Sequence, residues 1–350
     1  MSRIQTTSLS RVRLRFREPV RYGGSMVTTQ EIGILRIVTD DGFAGLGEVG
    51  GPSLTADVDA TLERLSRQLV GADPAAVDAV DAGVLTGALD AALLDALGRQ
   101  QRCSIADLLG GGAASIRVNG LMTAGEDPRQ AAATGRELVE AGYQAIKIKC
   151  ELGADPISVH ASLAAVRDAV GLGIALRLDV NGDLTERTAI EWLTTLGALD
   201  LDYVEQPIAP SLGVAALARV RAAIPMPLAA DESVTDAASA RALLDAGAAD
   251  VLVVKPSRVG GPRRSAHIVR MAAAAGVAVT ISTLYDSGIG LAVALHVAAT
   301  VTGDRAHGLG TASLLESDLI DGGLPIVDGR MVVPIGAGLG VTLDTRAPTD

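Results

Sequence analysis

The sequence predicts an α/β protein, a parallel barrel of eight strands behind a smaller N-terminal α+β domain. Two observations carry this reading. From Ile116 onward, short β-branched runs alternate with helical stretches and short loops, the pattern of a parallel sheet covered by helices. Asp179, Glu205 and Asp231 each follow a short apolar run at intervals of 26 residues (205 − 179) and 26 residues (231 − 205), and Lys255 follows 24 residues later. Eight strands favour closure into a ring over an open sheet.

The elements follow in order. VRLRF (12–16) and ILRIVT (34–39) read as strands, Asp40-Asp41-Gly42 as a turn, and FAGLGEV (43–49) as the third strand of a small antiparallel sheet. Helical spacing begins near Thr55, breaks at Gly71 and resumes to about Gln100. SIADLLGGG then ends in a glycine run that marks a boundary. The barrel strands are expected at 117–123, 144–149, 174–180, 202–206, 227–231, 250–255 and 277–283, with a short last strand at His307-Gly308-Leu309. Helices fill the gaps at 127–142, 155–170, 185–197, 211–223, 236–247, 261–275 and 288–301. The first of these starts with Asp127 as N-cap and Pro128 at the first helical position. Past Leu319 the chain turns Gly- and Pro-rich, and VDGRMVVPIG reads as a hairpin. The expected domains are 1–115, with 323–350 packing back on it, and a barrel over 116–322.

Composition narrows the function classes. A net charge of −11 argues against nucleic-acid or anionic-membrane partners. No apolar stretch is long enough to span a bilayer, and the start lacks a signal-peptide centre. Cys103 and Cys150 fit no zinc or disulfide pattern, so a reducing cytoplasm is expected. Gly336, Gly338 and Gly340 precede no helix and make no dinucleotide fingerprint. There is no Gly-x-Ser-x-Gly and no His-Glu-x-x-His. His160, His267 and His296 fall in helices and read as packed or surface residues; His307 lies near the last strand end.

In a parallel barrel, chemistry sits at the C-terminal strand ends. Asp179, Glu205, Asp231 and Lys255 all fall there, and three hard oxygen ligands on neighbouring strand ends suit Mg²⁺, with Mn²⁺ as an alternative. Lys147 and Lys149 flank Ile148, so strand alternation puts both ammonium groups on one face, roughly 6.6 Å apart at about 3.3 Å per residue. Buried lysines need anionic partners. Two close ammonium groups and a divalent cation are expected to depress the lysine pKa, as a neutral base requires. Arg177, two residues before Asp179, should share its face and serve the ligands electrostatically. Lys255 lies four strands from Lys149, so one lysine stands on each side of a metal-bound carboxylate. That arrangement suits proton removal next to the carboxylate and an enediolate held by the metal.

Lys-Ile-Lys, Asp-Val-Asn-Gly, Val-Glu-Gln-Pro, Ala-Asp-Glu-Ser and Val-Lys-Pro-Ser-Arg-Val-Gly-Gly together resemble the enolase superfamily, muconate-lactonizing subgroup, and DDGFAGLGEV resembles its capping-domain signature. The resemblance implies a modified (β/α)7β TIM-type barrel with an N-terminal α+β capping domain completed by the C-terminal tail. It implies Asp179, Glu205 and Asp231 as Mg²⁺ ligands, Lys149 and Lys255 as the acid/base pair, and Lys147 as auxiliary. Asn181 and Glu232 stand behind the ligands. Ser282, Thr283 and the residues to Gly290, with His307 to Thr311, resemble o-succinylbenzoate synthases, which dehydrate a cyclohexadiene carboxylate in menaquinone synthesis. Asp286 departs from the glutamate common in those relatives. N-acylamino acid racemase, dipeptide epimerase and muconate cycloisomerase use the same lysines and stay open as alternatives. Loops at 17–26 and 48–55 are expected to close over the mouth, with Arg21, Tyr22 and Met26 as specificity contacts. The expected partners are a small carboxylate substrate and copies of the same chain in a homo-oligomer.

Overall fold

A computed structural model describes the chain except residues 1, 23–24, 51–53, 55–56, 78–81, 125–126, 151–152 and 345–350, and the side chains of 21–22. Three antiparallel strands come first, β1 (Ile4–Tyr22), β2 (Ser25–Thr39) and β3 (Ala44–Gly50), in the order β1-β2-β3. The strands at 12–16 and 34–39 are thus the middle of one longer strand and the end of another. Pro19 cannot donate to a ladder, and the register of β1 against β2 shifts between Arg15 and Val20 before pairing resumes at the hairpin tip. The segment 17–26 is therefore mostly strand, not the expected loop.

Helices α1 (Val58–Leu69), α2 (Thr86–Gln101) and α3 (Ile105–Leu109) pack on this sheet. Gly45 and Gly47 show how closely: a Cβ on either would lie 1.9 Å from a carbonyl oxygen of α2, that of Ala92 or Ala88. Strand β3 therefore rests on the helix backbone, which only glycine permits.

The barrel strands are β5 (Gly120–Thr123), β6 (Ala145–Lys149), β7 (Ala175–Asp179), β8 (Leu201–Glu205), β9 (Leu228–Ala230), β10 (Val251–Val254) and β11 (Ala278–Ile281). They form one parallel sheet in sequential order. The expected strand 117–123 is split. Its first part, β4 (Ser115–Arg117), pairs antiparallel with β12 (Arg330–Val332), and only the second part enters the barrel. The turn from Val327 to Arg330 closes with two backbone bonds of 2.8 and 2.9 Å, but its outgoing arm joins β4 instead of its own incoming arm. The last strand shrinks to single bridges, His307 to Val118 and Gly308 to Ser282. These join the two edges of the sheet and shut the ring.

Seven main helices cover the ring: α4 (Pro128–Glu140), α5 (Pro156–Val170), α6 (Glu186–Thr195), α7 (Val214–Ala223), α8 (Ala237–Asp245), α10 (Pro262–Ala274) and α11 (Gly288–Ala298). A short extra helix, α9 (Pro256–Val259), follows Lys255. Asp127 caps α4 by accepting from the Arg129 N–H. Alternation along the strands sorts the residues. Ile146, Leu178, Val204 and Leu252 face the helices with Leu163, Leu193 and Leu243. Tyr203, Ala229, Val251 and Val253 pack together in a separate cluster inside the ring. A third apolar cluster joins Val12, Leu14 and Phe16 of β1 to Ile289 and Val293 of α11 and to Leu339 of the tail. No described helix is long and apolar enough to cross a membrane.

Candidate active site

The parallel register places the functional residues side by side: Lys149 pairs with Asp179, and Asp179 with Glu205. Asp231 follows β9 directly, and Lys255 follows β10. Asp179, Glu205 and Asp231 are each 1% exposed. Burial that complete demands countercharge, and lysines supply it. Lys147 Nζ lies 2.8 Å from Asp179 Oδ2 and 2.6 Å from Glu205 Oε1. Lys255 Nζ lies 2.6 Å from Asp231 Oδ2. Lys149 is looser, 3.9 Å from Asp179 Oδ2, and its side chain is 35% exposed.

The electrostatics follow. Burial works against the charge of Lys147, but Asp179 and Glu205 hold its pKa well above the usual lysine range. This direction differs from the expected depression because Lys147 bonds two carboxylates directly, at 2.6 and 2.8 Å. Glu205 is pushed up to about 8, first by burial and then by the charge of Asp179. Burial also opposes the charge of Asp231, yet Lys255, Arg258 and Lys147 keep its carboxyl well below the usual range.

Asn181 and Glu232 join this cluster. Asn181 adopts φ +50°, donates its backbone N–H to Asp179 Oδ1 at 3.1 Å and its amide to Glu232 Oε1 at 3.3 Å. Arg177 does not join it. Its guanidinium meets Asp202 at 2.9 Å, the Ala306 carbonyl at 2.8 Å and Asn119 at 3.2 Å, and lies over the Tyr203 ring. Two residues along a strand share a face but differ in depth by about 7 Å, so Arg177 serves a lower layer of the lumen. His307 belongs there too. Its Nδ1 accepts from the Ile281 N–H, and burial plus Arg177 and Arg305 push its pKa down to about 3.

Ser282 and Thr283 follow β11 and bond the Gly308 carbonyl, and Thr283 meets Thr311 at 2.7 Å. Asp286 is buried and lines a small cavity with Ser257. Met26 lies on the hairpin tip, 57% exposed, and no described contact joins it to the carboxylates. The side chains of Arg21 and Tyr22 lie outside the described residues.

Two whole-chain features agree with this geometry. Residues 4–110 match the mandelate racemase / muconate lactonizing enzyme N-terminal domain, and residues 130–347 match the enolase C-terminal domain-like family. The chain belongs to the enolase superfamily, in its muconate-lactonizing branch. It is 31% identical to a chloromuconate cycloisomerase of Cupriavidus necator, over 98% of this chain and 97% of that one. It is 27% identical to the L-Ala-D/L-Glu epimerase of Bacillus subtilis, over 97% and 96%. Among solved structures, the muconate lactonizing enzyme of Pseudomonas fluorescens with muconolactone superposes with a TM-score of 0.87 at 25% identity, over 98% and 97%. The dipeptide epimerase of Enterococcus faecalis V583 with Mg and L-Leu-L-Tyr gives 0.86 at 25% identity, over 97% and 99%.

Enolase-superfamily proteins bind Mg²⁺. The expected three-carboxylate cage is not drawn together here: among the described residues, no group of three or more His, Cys, Asp or Glu side chains is gathered to hold a metal. The ammonium of Lys147 bridges two of the carboxylates instead. The donor set still fits a divalent cation. Glu205 Oε2 and Glu232 Oε2 are buried with no hydrogen-bond partner, and an orphaned carboxylate oxygen in a dry site is costly unless a cation meets it.

Sequence reasoning missed three residues around this enolase-type site. Arg258, one turn past Lys255 on α9, donates to the Asp231 carbonyl at 2.9 Å and to its Oδ1 at 2.8 Å. Gln206, at φ +39°, accepts from the N–H groups of Asp231 and Ser233 and fixes the turn that presents Asp231. Glu48 reaches in from the capping sheet. Position beside a ligand was the available signal for Gln206, and helical spacing from Lys255 for Arg258. Glu48 gave none.

Proposed function

We propose that this protein moves a proton at the carbon next to a carboxylate, as a racemase or epimerase of a small amino-acid derivative such as a dipeptide or N-acylamino acid. The observation that carries the reading is the placement of Lys149 and Lys255. They lie at strand ends four strands apart, with the strands that end in Asp179, Glu205 and Asp231 between them. Such a pair can serve opposite faces of one carbon.

Asp179, Glu205 and Asp231 would hold Mg²⁺, with Asn181 and Glu232 behind them. The bound ion supplies a Lewis acid for the substrate carboxylate. Lys149, the least tightly paired of the three lysines, takes the α-proton on its face as a neutral amine. Lys255, as an ammonium, returns a proton to the other face, and the roles exchange in the reverse direction. Lys147 keeps its charge and offsets the carboxylates, and Arg258 orients Asp231. The same reading assigns 1–115 with 323–350 as the capping unit and 116–322 as the catalytic barrel.

Muconate cycloisomerase is the second reading, favoured by the 31% identity to the chloromuconate enzyme. The dehydration of an o-succinylbenzoate precursor uses the same half-reaction, but the similar proteins reported above are cycloisomerases and epimerases, so we rank it third. A panel of dipeptides, N-acylamino acids, cis,cis-muconate and the menaquinone precursor, run with Mg²⁺ in deuterated buffer, tests the order. The epimerase reading expects α-deuterium and inversion in an amino-acid derivative. Lactone formation from muconate without such inversion would replace it.

A further inference from the structure

Each strand of the capping sheet sends at least one side chain to the same short barrel segment, 285–290. Phe16 of β1 sets its ring edge-on to Tyr285, with centroids 5.1 Å apart. Gln30 of β2 donates its amide to the Tyr285 carbonyl at 3.0 Å. Glu48 of β3 accepts from the Ser287 N–H at 2.9 Å, the Gly290 N–H at 3.0 Å and the Ser287 hydroxyl. This segment joins the end of β11, with Ser282 and Thr283, to the start of α11, and it carries Asp286.

Helix capping alone does not account for Glu48. Ser287 is already the N-cap of α11 and accepts from the Ile289 N–H, and Asp318 takes the Gly288 N–H at 2.6 Å. Glu48 takes the remaining Gly290 N–H, but it also takes the Ser287 N–H and hydroxyl, and a buried carboxyl is a costly means of serving one helix N–H. It stands, moreover, across a cavity of about 90 Å³ from a second buried carboxylate, Asp286. Gly290 makes room for both: a Cβ there would lie 2.7 Å from Asp286 Cβ and 3.3 Å from Glu48 Cδ. Asp286 in turn lines that cavity together with Ser257, two residues past Lys255, and the charge of Lys255 offsets part of the cost of its burial. A continuous line of contacts thus runs from β3 through α11 and Asp286 to the Lys255 side of the site. No equivalent capping-sheet contact to Lys149 occurs among the described residues.

We propose that Glu48 is a positioning residue: it locks the segment 285–290 to the capping sheet and so fixes Asp286 beside Lys255, making the Lys255 face of the site dependent on how the capping sheet is seated. The kinetic side of this inference rests on the epimerase reading; the structural side does not.

The test is Glu48→Gln, which keeps the shape and one acceptor oxygen but cannot accept from both Ser287 and Gly290. Two readouts are taken on the full-length protein. In amide hydrogen exchange by mass spectrometry, protection should fall in 282–290 and 255–258 while 145–149 and 175–179 stay unchanged. In deuterated buffer with each enantiomer of a turned-over substrate, exchange on the Lys255 face should drop about tenfold or more relative to the Lys149 face. Gln30→Ala, which removes another of the three contacts, should shift both readouts in the same direction by less, and it serves if Glu48→Gln does not fold. Uniform loss of protection, or equal slowing on both faces, would mean that Glu48 is only structural and overturn the proposal. If the wild type exchanges no α-proton on the panel, the epimerase reading fails, and the amide pattern alone then decides the role of Glu48.

Discussion

The barrel interior has two charged layers, and they are built on opposite terms. In the lower one, Arg177 spends its guanidinium on Asp202, Asn119 and the Ala306 carbonyl, and Arg305 gives Asp202 a second partner at 2.8 Å. In the upper one, about one strand pleat higher, Glu205 keeps an oxygen with no partner and a carboxyl pushed up to about 8. Both layers are largely buried, and both mix acids with bases. The lower is closed on itself, and the upper is left short of a partner. Buried polar groups in native proteins are nearly always satisfied, so the incomplete layer marks where a ligand is to be received.

Substitutions should separate the two layers. The largest effect is expected from Lys149→Ala, which should slow α-proton exchange on its face by about 10²–10⁴-fold, the usual worth of a positioned base. Deuterium incorporation followed by NMR measures it, and exchange at the wild-type rate would remove Lys149 as base. In the lower layer, Arg177→Met leaves the buried Asn119 side chain and Ala306 carbonyl short of a donor, and half-buried Asp202 with Arg305 alone, and should destabilise the fold by about 2 kcal/mol. Urea unfolding reads this loss, while Mg²⁺ affinity should move less than tenfold. Asp231→Asn should act on both readouts. It should lower Mg²⁺ affinity by about 100-fold in isothermal titration and also lower the urea midpoint, because it leaves the buried Lys255 ammonium without its carboxylate. If Arg177→Met and Asp231→Asn gave the same pair of results, the distinction between the layers would not hold.

The smallest expected effect is a pH trend. Glu205 and Glu48 are pushed from 4.5 up to about 8, and Asp286 from 3.8 up to about 6, in each case first by burial. A carboxyl whose folded pKa is raised holds its proton better folded than unfolded. Its contribution is complete below the unfolded value and is lost as pH rises through the folded one. With chelator present, the urea midpoint should therefore fall from pH 5 to pH 8, and Glu205→Gln should flatten that slope. A midpoint that rises over this range would contradict the assignment.

The contrast between the layers also explains what could be read from the sequence. The ring of carboxylates was legible because parallel strand–helix units of equal length bring equal ends together, so spacing alone aligns Asp179, Glu205 and Asp231. Depth along a strand was less legible. Arg177 and Asp179 share a face by alternation, but two residues of rise put them with different partners, and two of those of Arg177, Asn119 and the Ala306 carbonyl, lie 58 and 129 residues away and leave no local signal. The pairing of Lys147 with Asp179 and Glu205 shows the same limit, since like-charge proximity on one strand was visible and the opposite charges on its neighbours decided the outcome. The extended β1–β2 hairpin was hidden by Pro19 and Gly23-Gly24, which read as loop residues although Pro19 sits at a register shift of an edge strand. Glu48 lay furthest out of reach, because its partner Ser287 is 239 residues away.

One feature sets the order in which the molecule can be finished. The ring shuts at His307 and Gly308, through single bridges to Val118 and Ser282. The first of these spans 189 residues (307 − 118), whereas neighbouring barrel strands pair across about 25. Contacts between distant residues carry the larger chain-closure cost and form late. A growing polypeptide that has not yet reached residue 307 can stack its strand–helix units one on the next, but it carries them as an open sheet with two free edges. The seam belongs to the end of synthesis, and the pocket acquires its full circumference only then.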